Sequence, residues 1–248
     1  MAFRLLTYNI RVGGLGRVEP LARIINACAP DLVLLQEATR PAVIKQLAVL
    51  TGMNDCRAFP HRSLGYMSRE PVVHASWHQP RLSHHAYVEV MPAGMAGLRL
   101  FGVHLSAVHS AWTERRRLYE LRALLRSISD RSGGLHVLAG DFNTLAPGAT
   151  LDVGRLPLRL RPFVWLSGGR IKWRTIQTVL AAGYVDAFRL KHLEDPGFTV
   201  PTGSPQVRLD YAFVPAAYTD RIIACDVVQH PEVPRASDHH PLVLDLAT

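Results

Sequence analysis

Three cysteines are all that the 248 residues contain: Cys28, Cys56 and Cys225, scattered and odd in number. They form neither a disulfide framework nor a metal spacing, so they read as small buried apolar residues. No apolar run approaches the roughly 20 residues that a membrane-spanning helix needs. The chain shows no internal repeat, low-complexity tract or linker, which makes residues 1–248 a single expected domain. A charged-then-apolar leader with a cleavage site is also missing, because the strand-like run Phe3–Ile10 starts almost at once. A cytoplasmic protein, or a mature form, is therefore the expectation, and a monomer is expected. The Gly-rich turn Gly13-Gly14-Leu15-Gly16 lacks the dinucleotide-binding spacing. Acids are the scarcer charge, 20 against 28 Lys and Arg, and the net charge of +8 favours an anionic partner.

What is present is a series of apolar strands that end in polar side chains. Val137-Leu138-Ala139 reads as a buried strand, and Gly140 leaves room for a close backbone approach where the chain leaves it. Asp141 and Asn143 follow two positions apart, so in extended backbone they project to one side, a pairing suited to a water or phosphate near a hard cation. Leu32–Leu35 ends in Gln36-Glu37, and a carboxylate closing a buried strand needs solvent or a ligand. His104 closes Leu98–Val103, Asn9 closes the first strand, and Asp238-His239 precede the last, Leu242–Leu246. If these strand ends share one edge of a layered sheet core, their polar groups converge in one cleft. Helices are expected over Leu21–Cys28, Pro41–Leu50, Thr113–Ser129 and Ile176–Ala182, the third with a leucine stripe. Its Arg115-Arg116-Arg117 run reads as a solvated face, with one arginine able to reach the cleft. His74 and His78 stand four apart, but within a strand-like run, and His84, His85 and His240 read as surface or packing histidines.

Taken in order, Thr7-Tyr8-Asn9-Ile10, Leu35-Gln36-Glu37, Val103-His104-Leu105, Gly140-Asp141-Phe142-Asn143, Arg208-Leu209-Asp210 and Ser237-Asp238-His239-His240-Pro241 resemble the motifs of the endonuclease/exonuclease/phosphatase superfamily over essentially the whole chain. The resemblance implies a four-layer α/β sandwich, two mixed sheets face to face with helices outside. It implies Glu37 as the main Mg²⁺ ligand, with Asn9 beside it and Asp238 contributing directly or through water. An all-oxygen set suits Mg²⁺ or Mn²⁺. Asp141 would orient or deprotonate the attacking water, and Asn143 would donate to a phosphoryl oxygen. His239, held by Asp210, would act as general base or stabilise charge developing on phosphorus, and His104 would bind the phosphate or protonate the leaving oxygen. Ser68-Arg69-Glu70-Pro71 is similar to a stretch of pancreatic-type deoxyribonucleases, which would make Glu70–His104 a second acid–base dyad. Apurinic-site endonucleases carry a tyrosine where this chain has His104, so it departs from them.

The expected activity is that of an Mg²⁺-dependent phosphodiesterase on nucleic acid. A phosphoesterase for phospholipid head groups, inositol phosphates or other small phosphoesters is the alternative, and an inactive binding module is disfavoured because the motif set is intact. The basic, aromatic segment from Arg155 to Arg174 is the expected substrate track, with Arg159 and Arg170 on phosphates and Trp173 as a stacking surface.

Overall fold

A computed structural model describes residues 2–79, 87–95, 97–107, 111–129, 134–149, 154 and 173–247. In chain order the elements are β1 (Ala2–Asn9), α1 (Val18–Cys28), β2 (Leu32–Gln36), α2 (Pro41–Thr51), β3 (Asp55–Arg57), β4 (Leu64–Ser68), β5 (Val72–His78), β6 (Tyr87–Pro92) and β7 (Arg99–His104). There follow α3 (Ala111–Ser129), β8 (His136–Asp141), α4 (Arg174–Ala181), β9 (Tyr184–Asp186), α5 (Ala187–Lys191), β10 (Asp210–Pro215), β11 (Ile222–Val227), α6 (Val233–Ala236) and β12 (Leu242–Ala247). The strands build two six-stranded sheets, ordered β11-β12-β1-β2-β4-β3 and β5-β6-β7-β8-β10-β9. Both are mixed: β1 runs parallel to β2 and β7 to β8, while the other pairings are antiparallel.

Strand alternation sorts the side chains into layers. Leu5, Leu32, Leu34, Leu244 and Leu246 of the first sheet meet Leu100, Val137, Ala139, Ala212 and Val214 of the second in one buried cluster. Leu6, Tyr8, Val33 and Leu35 point the other way, against Leu21, Ile24, Ile25, Ile44 and Leu47 of α1 and α2. On the far side, Phe101, Leu138, Tyr211 and Phe213 pack under Leu121, Leu124 and Ile128 of α3 and Ile176 and Val179 of α4. The order helix, sheet, sheet, helix is the four-layer α/β sandwich that the resemblance implies. Among the described residues, no helix is long and apolar enough to cross a membrane. Cys28 and Cys225 are buried free thiols and Cys56 is half-buried, in keeping with apolar packing.

The close approach expected at Gly140 is there. Its φ is +146°, and a Cβ on it would stand 1.9 Å from the Val103 carbonyl oxygen on the neighbouring parallel strand. Only glycine lets β7 and β8 run together at this point.

Candidate active site

Alternation also determines where the polar strand ends go. Along β1 the positions facing the other sheet are Phe3, Leu5, Thr7 and Asn9. Along β8 they are Val137, Ala139 and Asp141, and along β10 Asp210, Ala212 and Val214. His104 continues the Leu100–Gly102 face of β7. Asn9, His104, Asp141 and Asp210 thus occupy inward positions one step beyond the inter-sheet core, at one edge of both sheets. Asp210 and Asp141 are directly paired across the β10–β8 ladder, as are His104 and Asp141 across β7–β8. A bond across the seam joins the sheets, from Asn9 Nδ2 to Asp141 Oδ2 at 3.1 Å.

Asp141 is the hub. It is 1 % exposed, and burial, together with the charge of Asp210, raises its pKa above the ordinary carboxylate value; His239, His104 and the Asn143 N–H pull the other way. Its Oδ1 accepts the Asn143 backbone N–H at 2.8 Å. Its Oδ2 lies 3.8 Å from Nε2 of both His104 and His239. The other ring nitrogen of His239, Nδ1, stands 2.9 Å from Asp210 Oδ2. Burial alone would lower the His239 pKa, but the charges of Asp210 and Asp141 override it and raise it to about 10. That shift favours the imidazolium, the form that stabilises negative charge. Ligand atoms of Asp141, Asp210 and His239 lie within 4.8 Å of one another.

Glu37 leaves β2 in the left-handed region, φ 56°, and its Oε2 accepts the Val12 N–H at 2.5 Å. The same turn holds the other oxygen donors. Arg11 N–H donates to Asn9 Oδ1 at 3.0 Å, and Arg11 Nε is 3.6 Å from Asp238 Oδ2. Ser237 Oγ donates to Asn9 O at 2.6 Å and accepts the His239 N–H at 3.2 Å, tying the start of the last strand to the end of the first. Asn9, Glu37 and Asp238 offer oxygen atoms only, a donor set that fits a hard divalent cation.

Two sequence-based expectations need correction. Ser68, the last residue of β4, pairs with Leu32, the first of β2, and Arg69 bonds to Pro30 and Asp31 backbone oxygens. Glu70 is thus exposed at the opposite edge from Glu37, about one strand length (~16 Å) away. It forms no dyad with His104, whose carboxylate neighbour is Asp141. The second correction concerns the arginine run. Arg117 turns inward and is 2 % exposed, with Nε and Nη2 on Glu114 Oε2 and Nη1 on Ser106 O. The other Glu114 oxygen accepts the Thr175 N–H and hydroxyl at the start of α4. Glu120 accepts the N–H and hydroxyl of Ser106. This network clamps the strap that follows His104, and Asn143 Nδ2 clasps the same strap through Leu105 O at 3.0 Å. Three arginines in a row gave no sequence signal that one would be buried; the inward spacing Glu114-Arg117-Glu120 was the clue.

Arg159 and Arg170 lie outside the described residues, as do His84 and His85. Trp173 is half-buried and packs against the cluster of Leu145, Val207 and Leu209. His74 is exposed, while His78 pairs with buried Glu89 at 3.2 Å, so the two histidines do not act together. His240 is buried, bonded to Val228 O.

Solved structures share this fold. A 3′ phosphatase, NExo, from Neisseria bound to a product DNA hairpin is 18% identical, with 99% of this chain and 100% of that chain covered and a TM-score of 0.73. An AP endonuclease from Archaeoglobus fulgidus is 17% identical over 99% of this chain and 100% of that chain, TM-score 0.74. An endonuclease/exonuclease/phosphatase from Beutenbergia cavernae is 24% identical over 99% of this chain and 71% of that chain, TM-score 0.72. No curated protein matches the chain in sequence. The model of the endonuclease/exonuclease/phosphatase family, whose members are metal-dependent hydrolytic phosphoesterases, matches residues 6–239, and the chain belongs to that family.

Proposed function

We propose that the chain is an Mg²⁺- or Mn²⁺-dependent phosphodiesterase that cleaves nucleic acid. The observation that carries the chemistry is the pair of imidazole nitrogens, His104 Nε2 and His239 Nε2, each 3.8 Å from one buried carboxylate oxygen of Asp141. A phosphoryl group seated at that oxygen would meet two ring nitrogens and a general base at once. Asp141 orients the attacking water and takes its proton, helped by a pKa that burial has moved upward. His239, protonated and held by Asp210, stabilises the charge that develops on the phosphoryl oxygens. Asn143 keeps one amide hydrogen for the phosphate, since Leu105 O takes the other. His104 faces the leaving oxygen. A divalent cation held by Glu37, Asn9 and Asp238 would add positive charge at the phosphate. The preference for nucleic acid rests on the net charge of +8 and on the DNA bound to the Neisseria neighbour.

The test is a panel with Mg²⁺: supercoiled plasmid, single-stranded DNA, RNA, abasic duplex, sphingomyelin and inositol phosphates. Cleavage of a nucleic acid, lost on chelation, is expected. In Glu37→Gln, calorimetric Mg²⁺ affinity should fall by at least tenfold with activity. Full turnover in chelator refutes the metal, and turnover confined to sphingomyelin or inositol phosphates moves the substrate to the lipid or small-phosphoester class.

A further inference from the structure

The surface beside Glu37 has few acids of its own. From Ala38 to Arg69 the sequence holds Arg40, Lys45, Arg57, Arg62 and Arg69 against one acid, Asp55. Asp55 is spent internally, on the Tyr66 hydroxyl and the Val72 N–H, both at 3.0 Å. Because β4 opens at Leu64 opposite Gln36, the turn before it, residues 58–63, lies at the edge that carries the site. A backbone bond from Ala38 N–H to Ser63 O, 2.8 Å, fixes it directly beside Glu37.

That turn presents an aromatic ring in a fixed position. Phe59 is 40% exposed, yet its ring is held edge-on against Trp77 at 4.8 Å. Trp77 in turn donates to Leu64 O at 2.9 Å and lies over Tyr66 at 6.1 Å. Arg62 donates to Trp77 O at 3.2 Å and carries its guanidinium 5.9 Å from the Phe59 ring centre. Arg40 runs over the Gly13 turn, so close that a Cβ on Gly13 would come within 2.7 Å of its stem. Among the described residues, neither Arg40 nor Arg57 has a carboxylate partner, and both are exposed. Unpaired cations flanking a rigid, half-open aromatic are what a polyanion with flat bases requires. A membrane surface would ask instead for a broad apolar insertion, which one phenylalanine does not supply.

We infer that Arg40, Arg57, Phe59 and Arg62 form a ledge on the Glu37 side of the scissile phosphate, along which a single nucleic-acid strand runs. The bases stack at Phe59 and the Arg62 guanidinium, and the arginines follow the phosphates. The inference rests on the nucleic-acid reading proposed above and adds to it a path for the strand.

The experiment measures binding of a fluorescent single-stranded oligonucleotide by anisotropy, from 50 to 200 mM salt, in the inactive Asp141→Asn background. Combining Arg40→Gln, Arg57→Gln and Arg62→Gln should flatten the slope of log K against log salt by about two, at roughly 0.7 per lost contact on a single strand. Phe59→Ala should weaken binding roughly 5- to 150-fold at an unaltered slope. If the parental Asp141→Asn protein binds and the variants keep its affinity and slope, the ledge is wrong while the nucleic-acid reading stands. A lower melting temperature with the parental slope gives these residues a purely structural role and overturns the ledge. If the Asp141→Asn protein ignores the oligonucleotide, the ledge is wrong, and the nucleic-acid reading fails with it only when the parent also cleaves none of the nucleic acids in the panel. Capture by phosphatidylserine vesicles in its place, abolished by the same substitutions, would assign the ledge to a membrane and overturn it.

Discussion

Replacing Asp210 by Asn tests the electrostatics of the site most directly. His239 Nδ1 is 2.9 Å from Asp210 Oδ2, and Asp210 ranks first among the charges that hold the imidazole at about 10. Asparagine keeps the shape and an acceptor oxygen but removes that charge. Burial, which opposes the imidazolium, then faces Asp141 at 3.8 Å with less help. The ring should fall back to titrate near or below its ordinary value of 6.5. Each tenfold change in proton affinity is about 1.4 kcal/mol, so on the order of 5 kcal/mol of imidazolium stabilisation is lost. The sign follows from linkage. A raised pKa gives stability that is fully present below pH 6.5 and lost as the pH rises through about 10. The parent therefore holds its charge through neutrality, and the variant does not. We expect kcat in Asp210→Asn to be lower by about 10²–10⁴ at pH 8 and to recover toward acid, where His239 is again protonated. The assay is a pH profile of kcat beside an NMR titration of the histidine ring protons. A His239 midpoint matching the parent, or a parallel pH profile, would refute the account.

Other substitutions follow from geometry. Gly140→Ala drives a methyl into the Val103 carbonyl at a φ of +146° and should cost more than about 3 kcal/mol in urea unfolding. Arg117→Met leaves Glu114 buried without this cation, a loss of about 3–5 kcal/mol. Adding Glu114→Gln should restore much of that stability but not kcat, because the bond to Ser106 O stays broken; recovery of both would make the network merely structural. Glu70→Gln should leave kcat/KM within about twofold, the usual range for an exposed position, and any larger loss would reinstate the dyad.

Most of the site was legible because it obeys a two-residue period. Val137, Ala139 and Asp141 share a face whatever the rest of the fold does, and so do Leu5, Thr7 and Asn9. Their meeting required only that the strands stack in register. Glu70 was misplaced because its position depends on β4 running antiparallel to β2, a pairing that local sequence does not encode. Arg117 escaped because three consecutive arginines look alike until α3 packs, when only the one beside Glu114 and Ser106 O can be neutralised inside. The three-residue strands β3 and β9 and the short helix α5 are too brief to carry a period of their own. Helix α5 depends on Asp186, which caps it by accepting the Arg189 N–H and also accepts from Nη1 and Nη2 of Arg208.

The backbone marks the site independently of the side chains. Among the described residues, five other than glycine have positive φ: Arg11, Val12, Ala29, Glu37 and Asn143. Ala29 ends α1 in a left-handed cap, a common use of that region. The remaining four all belong to the cleft. Val12 is β-branched, for which φ of 47° is costly, on the order of 1–3 kcal/mol. That conformation aims its N–H at Glu37, while Arg17 holds the turn from outside by donating to the carbonyls of Arg11 and Ala236. Asn143 at φ 51° turns its own N–H onto Asp141. Relaxing either residue to an ordinary strand conformation would release the carboxylate that it orients. A sheet edge designed for stability alone would have no use for such turns, so the strain is best explained by the carboxylates it positions.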